Sequence, residues 1–383
     1  MAWYLVFWAG LLLVVYVYAG YPLLVWLAAR LRGRPIAVAE VTPPVTLVIP
    51  AYNQERCIAR KIENALQLDY PSQCLQILVV SDGSDDATAS VARKYQCQSV
   101  EVLAFAQHRG KEELLNRALP LARGEMVAVS DAGALLSRDA LRHLLRPFAD
   151  AQVGGVTGAR YCLPQAGSVA SRGEGIYWRY ESWIKGAESR LHSCLGGHGQ
   201  LYAIRKSLFP RLGNSGDDFF VPMKVIADSG RRIVYAPAAQ ARIPAAASLR
   251  GELERKVRAH VALLRNIPLL WRLMVPGRSP VWWQYLSHHV LRMLVPPALL
   301  IMLLSAVALA LQDPGYVNLL LAQLVFYSLA GLGAVLAGRG KTSPALYPLF
   351  YFTFAQLALL LAWIRWPTRR YRHGWQPTER SVV

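Results

Sequence analysis

Four apolar stretches constrain this chain before any other feature does. Residues 1 to 29 carry no charged side chain, and further apolar runs occupy 293 to 311, 316 to 337 and 345 to 364. Each is close to the roughly 20 residues that a helix needs to cross a bilayer core. The first lacks a basic leader and exceeds the apolar length of a secretory signal, so it reads as an uncleaved transmembrane helix over 1–30. Arg30, Arg32 and Arg34 follow it. Basic loops stay on the cytosolic side, which puts the N terminus outside and the segment from Pro35 inside. Amphipathic interface helices with Trp271, Trp282 and Trp283 are expected over 261–290, transmembrane helices over 291–366, and a basic tail over 367–383. Three late crossings would leave that tail outside, against the same charge rule; either one run is re-entrant or the span count differs.

The formal net charge of +18 raises the question of nucleic acid. Its distribution answers it. Arg30 to Arg34, the stretch containing Arg250, Arg255, Lys256, Arg258, Arg265, Arg272 and Arg278, and the tail from Arg365 to Arg380 all flank apolar runs. Attraction to anionic lipid headgroups accounts for such charge, no recognition motif accompanies it, and no nucleic-acid partner is expected. The five cysteines, Cys57, Cys74, Cys97, Cys162 and Cys194, are odd in number and form no CxxC pair. Neither a disulfide framework nor a zinc site is suggested, and five ordinary buried thiols are expected.

Residues 44–260 form the soluble, cytosolic part. Short β-branched runs alternate there with helical patterns, which predicts an α/β domain built on a mostly parallel sheet. Strands are predicted at "VTLVIP" (45 to 50), within "LQILVVSDGSDDAT" (75 to 88), where a strand breaks into a turn, at "VEVLAF" (100 to 105) and at 126 to 130, with a helix whose Ile58, Ile62, Ala65 and Leu66 share a face. Ligands of open α/β sheets bind at the carboxyl ends of the strands, where Asp82 and Asp131 stand. Asp131 is not needed as a helix cap, because Ser137 or Asp139 can cap the following helix. It is therefore a candidate metal ligand or hydrogen-bond acceptor for a ribose or base. Mg²⁺ is often held by one or two carboxylates plus substrate phosphates, so a single acid suffices where a diphosphate is bound.

"VIPAYNQE", "VVSDGSDDAT", "RGK", "SDAGALL", "GDDFF" and "RKVRA" occur in the order seen in membrane-bound family 2 glycosyltransferases, and the chain resembles the cellulose, chitin, hyaluronan and poly-N-acetylglucosamine synthases of that group. The likeness covers about 45 to 260. It implies the nucleotide-sugar-binding GT-A fold, Rossmann-like, and inverting transfer of a sugar from a UDP-sugar donor with Mg²⁺ or Mn²⁺ as cofactor. It places Pro50, Tyr52 and Glu55 around the nucleotide, Asp82 on the uracil, Lys111 on the diphosphate and Asp131 on the metal. Asp131 matches the first acid of the family's DxD, but Gly133 replaces the second.

A sugar hydroxyl attacks well only as its proton is removed, and a carboxylate in hydrogen-bond reach can take it. By the resemblance, Asp218 of the Asp217–Asp218 pair is that base. Arg255 and Arg258, in the region of the family's QxxRW, would meet the leaving diphosphate; Arg255 replaces Gln and Ala259 replaces Trp. That Trp borders the glycan acceptor in the synthases, so its loss argues against processive synthesis. Gly197, His198 and Trp183 are candidate acceptor residues: Gly196, Gly197 and Gly199 permit close backbone approach, and Tyr177, Trp178, Tyr180 and Trp183 either stack on sugars or sit at the bilayer interface. Expected partners are the donor, a glycan or lipid-linked acceptor and membrane lipids, with a partner subunit left open. The function expected is exopolysaccharide synthesis at a bacterial inner membrane, the alternative being transfer of one sugar to a lipid or lipid carrier. A nucleotidyltransferase would not need the paired acids or the membrane helices, and a non-catalytic scaffold would leave Asp82, Asp131 and Asp218 without a purpose.

Overall fold

A computed structural model describes residues 1–163, 169–213, 216, 218–244, 248–341 and 343–368, the side chains of 169–176 and 368 excepted. Asp217 and the tail beyond residue 368 lie outside the described residues.

The soluble part is an α/β domain on one eight-stranded sheet in the order β3-β2-β1-β4-β7-β6-β8-β5. The strands are β1 (Val45–Ala51), β2 (Leu75–Asp82), β3 (Val100–Phe105), β4 (Met126–Val129), β5 (Leu135–Leu136), β6 (Val153–Leu163), β7 (Tyr202–Arg205) and β8 (Arg232–Pro244). β3, β2, β1 and β4 are parallel. β7 runs antiparallel between β4 and β6, so the sheet is mixed. Every residue of β1 and β2 is buried, because helices cover both faces and a doubly covered strand must be apolar on both.

The first covering helix, α1 (Ile58–Leu66), buries Ile58, Ile62 and Ala65, as their spacing demands. Leu66 does not join them and is 45% exposed. Lys61 takes the inward position instead. The next short helices are α2 (Thr88–Arg93), α3 (Lys111–Ala118) and α4 (Ala140–Leu145). Neither Ser137 nor Asp139 caps α4 through its side chain; Asp139 reaches His143. The five cysteines are all free thiols, but only Cys194 is buried and Cys97 is exposed. The expectation of five buried thiols fails because Cys97 sits in the turn before β3, outside both packed faces.

A long helix, α5 (Val169–Leu191), crosses the domain between β6 and β7, and α6 (Phe220–Ser229) opens just after Asp218. α7 (Leu249–Leu269) leads out of the sheet. Among the described residues four helices are long and apolar enough to cross a membrane: Ala2–Arg32, Trp282–Gln312, Pro314–Gly338 and Leu346–Arg365. The second begins at Trp282, inside the stretch read from the sequence as interface helix. A π-helical turn interrupts each of the first two, at Tyr16–Gly20 and Leu286–Val290.

Candidate active site

The site is assembled at the carboxyl ends of β1, β2 and β4. Beyond β1, the turn carrying Tyr52, Asn53, Gln54 and Glu55 is laced to the turn beyond β2. Asn53 N donates to Ser84 Oγ at 3.2 Å, Glu55 N to Asp86 Oδ2 at 3.1 Å, and Ala87 N to Glu55 Oε2 at 3.1 Å. Asn53 has φ of 50°, a conformation that asparagine tolerates better than most residues. Pro50 is buried in β1 opposite Val80.

Asp82 ends β2 almost fully buried, at 1% exposure. Its carboxylate accepts from Arg109 N at 3.0 Å and Gly110 N at 2.8 Å, and lies 2.9 Å from His108 Nδ1. Both oxygens are therefore engaged with the 108–110 turn. His108 in turn stacks on Tyr52, with ring centroids 3.9 Å apart. His108 was not singled out in the sequence, although it immediately precedes the "RGK" motif. Gly83 makes this close approach possible: its φ is +61°, and a Cβ there would come within 2.4 Å of His108 N.

Asp131 lies just beyond β4 and keeps 22% of its side chain exposed. Lys111 Nζ, at the start of α3, donates to its Oδ1 at 2.8 Å, and Gln200 Nε2 reaches Oδ2 at 3.3 Å. The two residues assigned to metal and diphosphate thus meet. Beneath them is a group that the sequence reading missed: Lys61, wholly buried, whose Nζ donates to Ser130 Oγ at 2.7 Å and to the Ala134 carbonyl at 2.5 Å. It grips both sides of the turn that presents Asp131. Burial pushes the Lys61 pKa down to about 7, the Asp131 charge opposing the shift. Its spacing from Ile58 and Ala65, three and four residues apart on one helix face, was the available signal.

The glycine loop before β7 brings in the expected base. Gly199 N donates to Asp218 Oδ2 at 3.2 Å, and Gly197 N donates to the Asp218 carbonyl at 2.6 Å. A Cβ on Gly199 would sit 3.1 Å from Asp131 Oδ2, and one on Gly197 would sit 2.7 Å from the Asp218 carbonyl. The close approach expected of these glycines is therefore an approach to the two acids. Asp131 and Asp218 flank Gly199 from opposite segments of the chain.

The other candidates are distributed differently. His198 is buried, its ring edge-on to Trp178 at 4.9 Å, and its N donates to Thr157 Oγ1 at 3.1 Å. Burial, reinforced by Lys185 and Arg160, holds its pKa well below the usual histidine value, so the ring is neutral. Trp183, 38% exposed, walls a separate cavity of about 1110 Å³ that also includes Trp178 and Arg160. Arg255 donates Nε and Nη2 to Glu252 at 2.9 and 2.5 Å. Arg258 stands half-buried on the same helix, α7, and Ala259 beside it is exposed. α7 approaches the acid turn where Ala262 comes 4.0 Å from a Cβ placed on Gly216.

Among the described residues no group of three or more His, Cys, Asp or Glu gathers to hold a metal. A lone, partly exposed carboxylate beside a lysine nevertheless suits a hard divalent cation whose remaining ligands are phosphate oxygens and water.

The sequence profile of the family described as Glycosyltransferase like family 2 matches residues 43–261. A beta-monoglucosyldiacylglycerol synthase from Nostoc sp. is 28% identical over 177 residues, 45% of this chain and 37% of that protein. A dolichyl-phosphate beta-glucosyltransferase from Drosophila melanogaster is 32% identical over 98 residues, 23% of this chain and 30% of that protein. The chain thus matches about a third of the length of these relatives. Among solved structures, the mannosyltransferase PcManGT from Pyrobaculum calidifontis, in complex with GDP-Man and Mn²⁺, superimposes with a TM-score of 0.72 at 26% identity, covering 95% of this chain and 99% of that one.

Proposed function

The chain belongs to glycosyltransferase family 2, and from that premise we propose that it transfers one hexose from a nucleoside-diphosphate sugar to a membrane lipid or lipid-linked carrier, with inversion at the anomeric carbon. The observation that carries this reading is the meeting of Asp131, Lys111 and Asp218 around Gly199. Lys111 and Asp131 supply the pyrophosphate end, where a cation held by Asp131 would offset the charge that develops on the leaving diphosphate. Asp218 takes the proton of the attacking hydroxyl. Asp82 acts by holding the 108–110 turn, which leaves the Tyr52–His108 ring pair to border the nucleobase.

A lipid acceptor replaces the exopolysaccharide reading for two reasons. Relatives named for glucosylating diacylglycerol and dolichyl phosphate match the soluble domain. Ala259 is exposed where the synthases carry the tryptophan that borders a growing glycan. UDP is the donor nucleotide expected from the motifs, while the solved neighbour holds GDP-Man. Both are therefore assayed. Detergent-purified protein is given UDP-glucose or GDP-mannose with Mn²⁺, Mg²⁺ or EDTA, and with diacylglycerol or a polyprenyl phosphate. Metal-dependent release of UDP or GDP with a singly glycosylated lipid supports the proposal. Sugar polymer as the product would restore the exopolysaccharide reading.

A further inference from the structure

A buried ionic hub ties the first two apolar helices to the catalytic glycine loop. Its centre is Glu188 on α5, fully buried. Tyr21 Oη, from helix Ala2–Arg32, donates to Glu188 Oε1 at 2.5 Å, and His288 Nδ1, from helix Trp282–Gln312, lies 2.7 Å from the same oxygen. The other oxygen accepts from Leu195 N at 3.1 Å. One turn away, Lys185 Nζ donates to the Gly196 carbonyl at 3.2 Å, and Gln284 Nε2 to the Ser193 carbonyl at 3.0 Å. Glu181 extends the hub, its oxygens 3.3 Å from His288 Nε2 and 2.7 Å from Arg292 Nη1. Both π-helical turns border it, Tyr16 accepting from Trp283 Nε1 at 3.0 Å and lying 2.7 Å from Ser287 Oγ. Such turns recur at functional sites.

We propose that Glu188 is a positioning residue through which these two helices fix loop 194–199, and with it the spacing of Asp131 and Asp218. Burying a carboxylate is costly unless it is paired and hydrogen-bonded, and here its partners come from two distant helices and from the loop that follows α5. Displacing the loop by about 1 Å would misalign the two acids, an error that costs about 100-fold in rate. The test is hydrogen exchange on the full chain in detergent with Tyr21→Phe, His288→Gln and Glu188→Gln. The amides of 194, 195, 197, 198 and 199 are all hydrogen-bonded. About tenfold faster exchange confined to them is expected, with β1 and β2 unchanged. Unchanged loop exchange, or equal loosening of the whole domain, would overturn the proposal. This readout stands whatever the donor. With UDP-glucose or GDP-mannose as probe, kcat falls and the donor KM holds.

A second inference concerns the last apolar helix, Leu346–Arg365. Its start packs on the soluble domain: Tyr351 lies 6.0 Å from the Tyr177 ring and 5.0 Å from Lys256 Nζ, and Tyr347 clusters with Leu249. Its end packs there too: Ala358, Leu359 and Ala362 join Val257, Val261 and Leu264 of α7, and Trp366–Thr368 meets the same helix. α7 carries too many charges for hydrocarbon. The opposite end of the bundle, where Phe7, Met302, Leu309 and Tyr316 cluster, includes none of its residues among those described. We infer that this helix lies in the cytosolic membrane interface and does not cross, so that its exposed Leu357, Ile364 and Trp366 meet lipid and the basic tail stays on the catalytic side. Three crossings remain, and the conflict with the charge rule disappears. Fusions to the full chain in a bacterial host test it. GFP at the C terminus should fluoresce and alkaline phosphatase there should be inactive, while phosphatase inserted at Asp313 should be active. An active C-terminal phosphatase would overturn the inference.

Discussion

Two strands that flank β1 in the sheet, β2 and β4, both run out onto an aspartate, and the structure gives the two carboxylates different surroundings. Asp82 is 1% exposed and both its oxygens accept from the turn at 108–110. The Asp131 carboxylate keeps an open edge, accepts from the side chains of Lys111 and Gln200 among the described residues, and lies across Gly199 from Asp218. Position at a strand end therefore marks a candidate, and burial together with the donors around the carboxylate separates one candidate from another. A buried acid that accepts from two backbone N–H groups has less acceptor capacity left for a ligand than a partly exposed one.

Substitutions should separate the two ends. The largest effect is expected from Asp218→Asn, which removes the proposed base and should lower kcat by about 10²- to 10⁴-fold with an unchanged melting temperature. Asp131→Asn should follow, at about 10²- to 10³-fold, again without loss of fold. Asp82→Asn should behave in the opposite way. It leaves one backbone N–H without its acceptor, costs about 1–3 kcal/mol of stability, and lowers activity only as the 108–110 turn loosens. A large loss of kcat in a fully stable Asp82→Asn protein, measured by steady-state kinetics beside thermal unfolding, would erase the distinction. Lys61→Met should resemble Asp82→Asn, because Ser130 Oγ and the Ala134 carbonyl lose a common donor.

The smallest effect concerns pH. Burial pushes the Glu252 pKa up, but Arg255 and Lys256 outweigh it and hold the group at about 2, below the ordinary 4.5. A depressed folded pKa adds stability above pH 4.5 that disappears as pH falls towards 2. The melting temperature should drop across that window, and the drop should be smaller in Glu252→Gln.

The parallel half of the sheet was legible because β1 and β2, buried on both faces, must be apolar runs, and the part-buried edge strand β3 still carries Val100 and Val102; all three begin where their runs begin in the sequence. β7 was not, since its four residues carry no period that separates a strand from the glycine loop before it. At the site, motif order identified Lys111, Asp131 and Asp218, which the fold brings together. Lys61 and His108 escaped notice because their roles depend on partners distant in sequence, Ser130 and Ala134 for one and Tyr52 for the other. Trp183, an acceptor candidate by its aromatic neighbours, lines a cavity whose lining includes neither Asp131 nor Asp218. Glu188 had no signal at all, because a buried hub is defined only by the helices that close over it.

The most direct measurement is single-turnover transfer from UDP-glucose and GDP-mannose to diacylglycerol and polyprenyl phosphate, comparing the native chain with Asp218→Asn in the presence of Mn²⁺. The account predicts one sugar per lipid from the native chain and, from the variant, bound donor with transfer slowed by at least about 100-fold. Transfer at the native rate by Asp218→Asn would contradict it.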